Sequence, residues 1–116
     1  MIKRIVISRL DDIIDAIGEV DDYLQGRDFG FYERSSVTRR AVERCIEIVS
    51  EASRHVPLQM QERYASLPWP AIRGIGNKLR HEYRTVDNHL IWLTAVRHLP
   101  ELRRIIVEMR RELLQE

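Results

Sequence analysis

The sequence predicts an all-α fold, an up-down bundle of four to five helices. Three observations predict it. Apolar residues recur at helical spacing in several long stretches, cap and turn residues separate those stretches, and no long stretch alternates apolar with polar residues. The nearest strand candidate, residues 2–7 (IKRIVI), is short. At 116 residues the chain is expected to form one domain over residues 1–116, with a single core.

The first two long helices follow from apolar residues spaced three and four apart. The first covers residues 10–24 and ends at a glycine two positions later. The second covers residues 37–56, with Ser35 or Ser36 as its N-cap and Pro57 as its terminator. An aromatic connection separates the two helices.

Prolines organise the second half of the chain. Pro70 suits the first turn of a third helix, because its missing N–H would be unpaired there. Asp87 or Asn88 caps a final apolar stretch over residues 90–113. Pro100 must kink or interrupt that stretch, since proline removes one ladder hydrogen bond and clashes with the preceding turn.

Composition excludes several classes of protein. The 19 basic and 18 acidic side chains nearly cancel, so attraction to nucleic acid or membrane must come from a local patch. A single cysteine, Cys45, excludes an internal disulfide and a cysteine-based zinc site. Asp11, Asp12 and Asp15 interrupt the N-terminal apolar stretch, which therefore resembles neither a signal peptide nor a membrane span. We expect a cytoplasmic protein without a membrane partner.

Three of the four histidines, His55, His89 and His98, do not predict a metal site. His89 and His98 are nine residues apart and, with His55, they lack the spacing of a ligand set. We therefore predict neither a metal nor another cofactor.

The stretch GIGNKLRHEY, residues 74–83, carries the side chains best suited to chemistry. On a helix, Asn77 and His81 share a face, and Arg73 lies one turn before Asn77. Arg80 lies at nearly the same angle around the helix axis as Arg73. Histidine is suited to proton transfer near neutrality, and surrounding cations can hold a phosphodiester while a ribose 2'-hydroxyl is deprotonated. The same pattern also fits an ordinary capping or hydrogen-bonded histidine at a helix end.

Two glycines in this helix predict a close backbone contact. Gly74 and Gly76 each cost a helix about 1 kcal/mol relative to alanine, which indicates approach by a neighbouring helix or by a partner. Packing of this helix against a second copy would merge two cationic surfaces in an isologous contact. A homodimer is therefore predicted.

Residues 67–92 (LPWPAIRGIGNKLRHEYRTVDNHLIW) resemble the signature of the HepT-like family within the HEPN superfamily, the higher eukaryotes and prokaryotes nucleotide-binding domain. The matching positions are Pro68, Trp69, Asn77, Leu79, His81, Tyr83, Val86, Asp87 and Trp92. Residues 9–24 and 39–57 also resemble the first two long helices of that family. The resemblance therefore spans nearly the whole chain and implies a HEPN-like fold.

The resemblance also implies an activity and partners. Such proteins are metal-independent endoribonuclease toxins of toxin–antitoxin pairs. They act on RNA as homodimers, and the cognate antitoxin is a minimal nucleotidyltransferase. By this resemblance His81 would be the general base or acid, Asn77 would orient the phosphate or the histidine, and Tyr83 would be the candidate site of AMP transfer. Lys78 and Arg84 are predicted to contact RNA.

One position departs from the family pattern. The family's arginine immediately precedes the asparagine, and here that position is Gly76. Loss of a comparable electrostatic group costs on the order of 100- to 1000-fold in rate. Arg73 or Arg80, from the same chain or from a second copy, is the predicted replacement. The alternative is a non-catalytic member that binds nucleotide or RNA, or docks a nucleotidyltransferase that modifies Tyr83.

Overall fold

A computed structural model describes residues 2–116, which form helices and turns without a β-strand. The α-helices are α1 (Ile2–Leu24), α2 (Phe29–Arg34), α3 (Ser36–Ser53), α4 (Leu58–Arg63), α5 (Trp69–His81), α6 (Asn88–Leu93) and α7 (Leu99–Gln115). A 3-10 turn, Tyr83–Thr85, follows α5, and a π-helical segment, Thr94–His98, joins α6 to α7. Helices α1, α3, α5 and α7 are long, and the other three have six residues each. The predicted all-α bundle is confirmed.

The strand candidate at the N-terminus is helical. Residues 2–7 form the first turns of α1, where Val6 is buried on the same stripe as Leu10, Ile13 and Ile17. The helical period of the apolar residues therefore extends upstream of residue 10. The short strand candidate is therefore part of α1, in agreement with the all-α prediction.

The aromatic connection after α1 contains a helix that the periodicity does not predict. The carboxylate of Asp28 accepts a hydrogen bond from the Phe31 N–H at 2.9 Å and caps α2. Tyr32 of this helix is fully buried, and its ring centroid lies 5.6 Å from that of Trp92. The short helix α2 therefore fixes α6 against the start of α3.

The caps and breakers lie mostly where the sequence predicts them. The Ser35 hydroxyl accepts from the Thr38 N–H at 3.2 Å and caps α3. Helix α3 ends at Ser53, whereas Pro57 lies at the N-cap of α4. Asp87 caps α6 by accepting from the N–H groups of His89 and Leu90.

Pro100 interrupts the last apolar stretch, as predicted. The chain forms the π-helical segment immediately before it, and Pro100 lies in the first turn of α7, where no amide proton is needed. The hydroxyl of Thr94 donates to the Leu90 carbonyl at 2.9 Å across this junction. The final helix therefore stays helical through this stretch, but its regular α-helical turns are interrupted by the π-helical segment Thr94–His98.

The core positions α5 on the outside of the bundle. Helix α1 packs against both α3 and α7, and α5 packs against α3. Ile13, Ile17, Ile46 and Ile106 are almost completely buried at the centre. One face of α5 is thus fixed on α3, and the opposite face is left to solvent. Within residues 2–116, none of the helices combines the length and apolarity that crossing a membrane requires.

Candidate functional site on helix α5

Helix α5 is anchored at its N-terminal end. It begins with Trp69 followed by Pro70, in agreement with the predicted role of the proline. Trp69 is buried, and its indole N–H donates to the Tyr64 carbonyl at 3.1 Å. Leu79 is buried near the other end of the helix. These contacts set the rotation of α5 and therefore determine which residues face solvent.

Gly76 lies on the buried face, directly against Ser50 of α3. The Gly76 N–H donates to the Ser50 hydroxyl at 3.1 Å, and that hydroxyl donates to the Arg73 carbonyl at 2.9 Å. A Cβ atom at position 76 would lie 2.8 Å from Ser50 Oγ and 3.0 Å from Ser50 Cβ. The close approach predicted from this glycine is therefore a contact with a neighbouring helix of the same chain.

This contact corrects part of the dimer argument. Gly76 faces α3, so it does not lie on a surface that a second copy can reach. By contrast, a Cβ atom at Gly74 would have no heavy atom of residues 2–116 within 4 Å, apart from its immediate helical surroundings. The expectation that both glycines pack against a symmetry mate is wrong for Gly76, and only Gly74 remains open to such a contact.

The solvent face of α5 brings together the predicted amide, imidazole and cations. Asn77, Lys78, Arg80 and His81 are all exposed. The Arg80 guanidinium donates to the Asn77 side-chain oxygen at 2.7 Å. Because Asn77 and His81 lie one turn apart on this face, the Arg80 cation is held on the same surface as the imidazole.

Arg73 is held elsewhere. Its guanidinium donates to the Gln61 side-chain oxygen of α4 at 2.7 Å, towards the N-terminal end of α5. Its carbonyl accepts from Ser50 and, at 3.0 Å, from the Arg54 guanidinium. Of the two arginines proposed to replace the missing family arginine, Arg80 is therefore the one that the chain itself places beside Asn77.

The C-terminal end of α5 exposes the tyrosine of the motif. His81 is the last helical residue, and the Glu82 N–H donates to the Lys78 carbonyl at 2.8 Å. Tyr83 and Arg84 follow in the 3-10 turn, and the Tyr83 side chain is 65% exposed. Cations in the last turn also stabilise the negative end of the helix dipole. The cations at the end of α5 therefore stabilise the helix as well as forming a cationic surface.

A polar crevice adjoins Tyr83, and the sequence gives no indication of it. We call it the arginine crevice; its volume is about 450 Å³, and it is lined by Arg39, Arg40, Glu43, Tyr83, Arg84, Val86 and Asn88. Burial raises the pKa of Glu43, while Arg39 and Arg40 act in the opposite direction. By sequence alone the arginines of α3 belong to a solvated helix face. Their helical spacing does not indicate that the end of α5 lies opposite them.

Two other groups bear on possible chemistry. Burial raises the pKa of the Cys45 thiol to about 11, so this cysteine is predominantly a thiol near neutrality. Among residues 2–116, no three histidine, cysteine, aspartate or glutamate side chains are grouped so that they could hold a metal ion. Within the motif, His81 and Tyr83 are both exposed to solvent, as are the charged side chains around them.

Comparison with known proteins identifies relatives over most of the chain. Residues 13–109 match the family model described as "Ribonuclease HepT-like". The chain is 31% identical over 100 residues to "Putative RNase TTE0752" of Caldanaerobacter subterraneus subsp. tengcongensis, covering 86% of this chain and 89% of that protein. It is 30% identical over 101 residues to "Probable ribonuclease HepT" of Thermococcus cleftensis, covering 87% and 92% respectively. No solved structure gives a significant match.

Proposed function

The chain belongs to the ribonuclease HepT-like family, and on this premise we propose that it is a metal-independent endoribonuclease with His81 in proton transfer. We further propose that it is the toxin of a HEPN/nucleotidyltransferase toxin–antitoxin pair. The observation that carries the proposal is the exposed face of α5, where the Arg80 guanidinium is hydrogen-bonded to Asn77 beside His81.

The proposed reaction is an internal transfer on the RNA strand. His81 accepts the proton of a ribose 2'-hydroxyl, and the resulting oxygen attacks the adjacent phosphorus. A bond forms between the 2'-oxygen and phosphorus, and the bond from phosphorus to the 5'-oxygen breaks. The departing 5'-oxygen takes up a proton. The products are a 2',3'-cyclic phosphate and a 5'-hydroxyl.

The cation beside Asn77 supports this chemistry. Negative charge increases on the non-bridging phosphate oxygens during the attack, and a positioned guanidinium stabilises that charge. Arg80 supplies the guanidinium that Gly76 lacks, and Asn77 holds it in place through the 2.7 Å hydrogen bond. Lys78 and Arg84 lie on the exposed part of the same region and are proposed to contact neighbouring RNA phosphates.

A homodimer would complete this surface. Gly74 leaves α5 open to close approach, and a second copy packed there would bring two cationic faces into one groove. The second His81 would then be available to protonate the departing oxygen. Sedimentation at micromolar concentration tests this arrangement: a dimer supports it, and a monomer contradicts it.

Tyr83 suits control by a nucleotidyltransferase partner. Its side chain is 65% exposed and lies two residues after His81. Transfer of AMP to its hydroxyl would place a phosphate anion next to Arg80 and Arg84, where it would compete with the phosphates of RNA. We propose that the cognate antitoxin silences the protein in this way.

The second candidate is a non-catalytic member that binds nucleotide or RNA, or docks the nucleotidyltransferase. One observation favours it: Ser50 occupies the space into which a side chain at position 76 would project. In this alternative the α5 face serves as a docking and modification surface, without a chemical step.

RNA cleavage in EDTA by the purified, partner-free and unmodified protein distinguishes the two candidates. Wild type is compared with His81→Ala and with His98→Ala, a control at another exposed histidine. We expect wild type and the control to cleave, and His81→Ala to lose cleavage. No cleavage by folded wild type would favour the non-catalytic candidate. Equal cleavage by His81→Ala would exclude His81 from the reaction.

A further inference from the structure

We propose that the arginine crevice binds one nucleotide of an RNA strand next to the cleavage site. The inference deepens the proposed function and rests on it, because it names where the strand continues after leaving the α5 face. The crevice combines residues from the start of α3 with the turn that follows α5. It is therefore a tertiary feature, in which Arg39, Arg40 and Glu43 of α3 lie opposite Tyr83 and Arg84 at the end of the sequence motif.

The charge of the crevice suits a phosphate. Arg39, Arg40 and Arg84 line it, and Glu43 is the one carboxylate among the lining residues. Within residues 2–116, none of the three arginines forms an ion pair with a carboxylate. A concave surface with excess positive charge concentrates potential and attracts polyanions. The crevice therefore keeps an excess of positive charge that no ion pair of the described residues neutralises.

The arginines differ in how firmly they are held. One guanidinium nitrogen of Arg39 donates to the backbone carbonyl of Glu33, which anchors this side chain at the start of α3. Arg40 and Arg84 are exposed. We therefore assign the movable phosphate contacts to Arg40 and Arg84, whereas Arg39 contributes a fixed positive charge.

The size and chemistry of the crevice fit a nucleotide. Its volume of about 450 Å³ is within the range of roughly 300–1,000 Å³ that is common for small-ligand sites. The exposed ring of Tyr83 lines one side. Cations beside an exposed aromatic ring are the combination by which proteins hold single-stranded nucleic acid, since a base stacks on the ring while its phosphate meets the charge.

The position of the crevice gives the strand a continuous path. Tyr83 and Arg84 follow His81 by two and three residues, and Arg80 precedes it. A phosphate at the α5 face therefore has its neighbouring nucleotide within reach of the crevice. A strand held at Tyr83 would also occupy the approach to the hydroxyl proposed for modification, so RNA binding and AMP transfer would compete.

Equilibrium binding of a non-cleavable strand tests the inference. The probe is a fluorescent 2'-O-methyl RNA of about ten nucleotides, within the roughly 4–16 that one small domain commonly covers. Fluorescence anisotropy is measured over a range of salt concentrations for wild type, Arg40→Gln, Arg84→Gln and the double variant. Arg104→Gln is the matched control, because Arg104 is an exposed arginine on α7, a helix that packs against α1.

We expect each crevice substitution to weaken binding about 10-fold, the effect of removing one charge-assisted hydrogen bond. The slope of the logarithm of the association constant against the logarithm of the salt concentration should become less negative by about 0.7 for each phosphate of a single strand that the protein no longer neutralises. Arg40→Lys should retain most of the affinity, because it keeps the charge. The control variant should bind like wild type.

Two outcomes would overturn the inference. The first is wild-type affinity and salt dependence in the Arg40→Gln and Arg84→Gln double variant, with native circular dichroism. The second is an equal decrease in affinity in Arg104→Gln, because binding would then follow total charge. The measurement needs no cleavage, so failure of the proposed activity in the EDTA assay is observed separately.

Discussion

Alanine substitution at the two glycines of α5 should have different effects on stability. Both substitutions remove the cost of glycine in a helix, about 1 kcal/mol at each position. At Gly74 a Cβ atom meets no heavy atom of the described chain within 4 Å beyond its own helical neighbours, so Gly74→Ala should stabilise the monomer, at concentrations below those of dimer formation, by about 1 kcal/mol. The helix-propensity gain at Gly76 is the same, but there it is opposed by a steric clash.

The clash follows from the contact with α3. The added Cβ atom at position 76 would lie 2.8 Å from Ser50 Oγ and 3.0 Å from Ser50 Cβ. Rotation of the hydroxyl relieves the first contact, whereas the second requires movement of a helix backbone. Overpacking of this kind costs about 1–3 kcal/mol. Because the propensity term cancels between the two variants, Gly76→Ala should be less stable than Gly74→Ala by about 1–3 kcal/mol.

Urea unfolding followed by far-UV circular dichroism measures both free energies of unfolding, provided that the m-values are equal. In a Ser50→Gly background the clashing atoms are absent, so the two alanine substitutions should then give similar changes. If Gly76→Ala stabilises the wild-type protein as much as Gly74→Ala does, the proposed contact does not constrain position 76. The same contact predicts that Gly76→Arg alone destabilises the chain, even though it restores the residue type of the family motif.

Three further predictions concern other groups. Arg80→Gln should reduce the single-turnover cleavage rate on the order of 100-fold, because Arg80 lies beside Asn77. Arg73→Gln should leave that rate near the wild-type value, because the Arg73 side chain is hydrogen-bonded to Gln61. Equal effects of the two variants would refute this assignment. The hydrogen bond from the Tyr64 hydroxyl lowers the pKa of Glu112 in the folded protein. This hydrogen bond therefore stabilises the fold at pH values above the unfolded pKa of about 4.3. The stabilisation disappears as the pH falls through the folded pKa. Glu112→Gln should therefore be less stable than wild type at about pH 7, and thermal unfolding should show this difference shrinking as the pH falls below the unfolded pKa of about 4.3. Cys45, with its raised pKa and buried position, should react slowly with a thiol reagent in the native state and rapidly in urea; rapid native reaction would contradict its burial.

The sequence predicts the long helices well because each repeats its apolar pattern over several turns. It also predicts local features that depend on neighbouring residues: the Ser35 cap, the Asp87 cap and the interruption at Pro100. Helices α2 and α4 have six residues each, fewer than two full turns, so no period is visible in them. The Asp28 cap is the local signal that could have revealed α2.

The candidate site also contains features that the sequence predicts and contacts that it does not. Helical spacing predicts that Asn77 and His81 share a face, and the described helix places both in solvent. Spacing does not predict that Arg80 joins Asn77 while Arg73 is engaged by α4, because the second contact depends on Gln61, 12 residues away. The pairing of Gly76 with Ser50 across 26 residues is likewise a tertiary contact.

The arginine crevice is the clearest case of a feature hidden from the sequence. Arg40 and Arg84 lie on separate elements, and each is an ordinary surface residue of its own helix or turn. They line the same cavity because α5 packs against α3 and ends opposite its first turns. Only the packing of the two helices therefore reveals that the motif continues into a second cationic surface.

Cleavage of two matched strands tests the central claim most directly. One strand is an RNA cut by the protein, and the other is identical except for a 2'-deoxyribose at the cut nucleotide. Both are incubated with excess wild-type protein in EDTA. The proposed role of His81 predicts cleavage of the all-ribose strand alone, with 2',3'-cyclic phosphate and 5'-hydroxyl ends. Cleavage of both strands, or 3'-hydroxyl and 5'-phosphate ends on the all-ribose products, would contradict it.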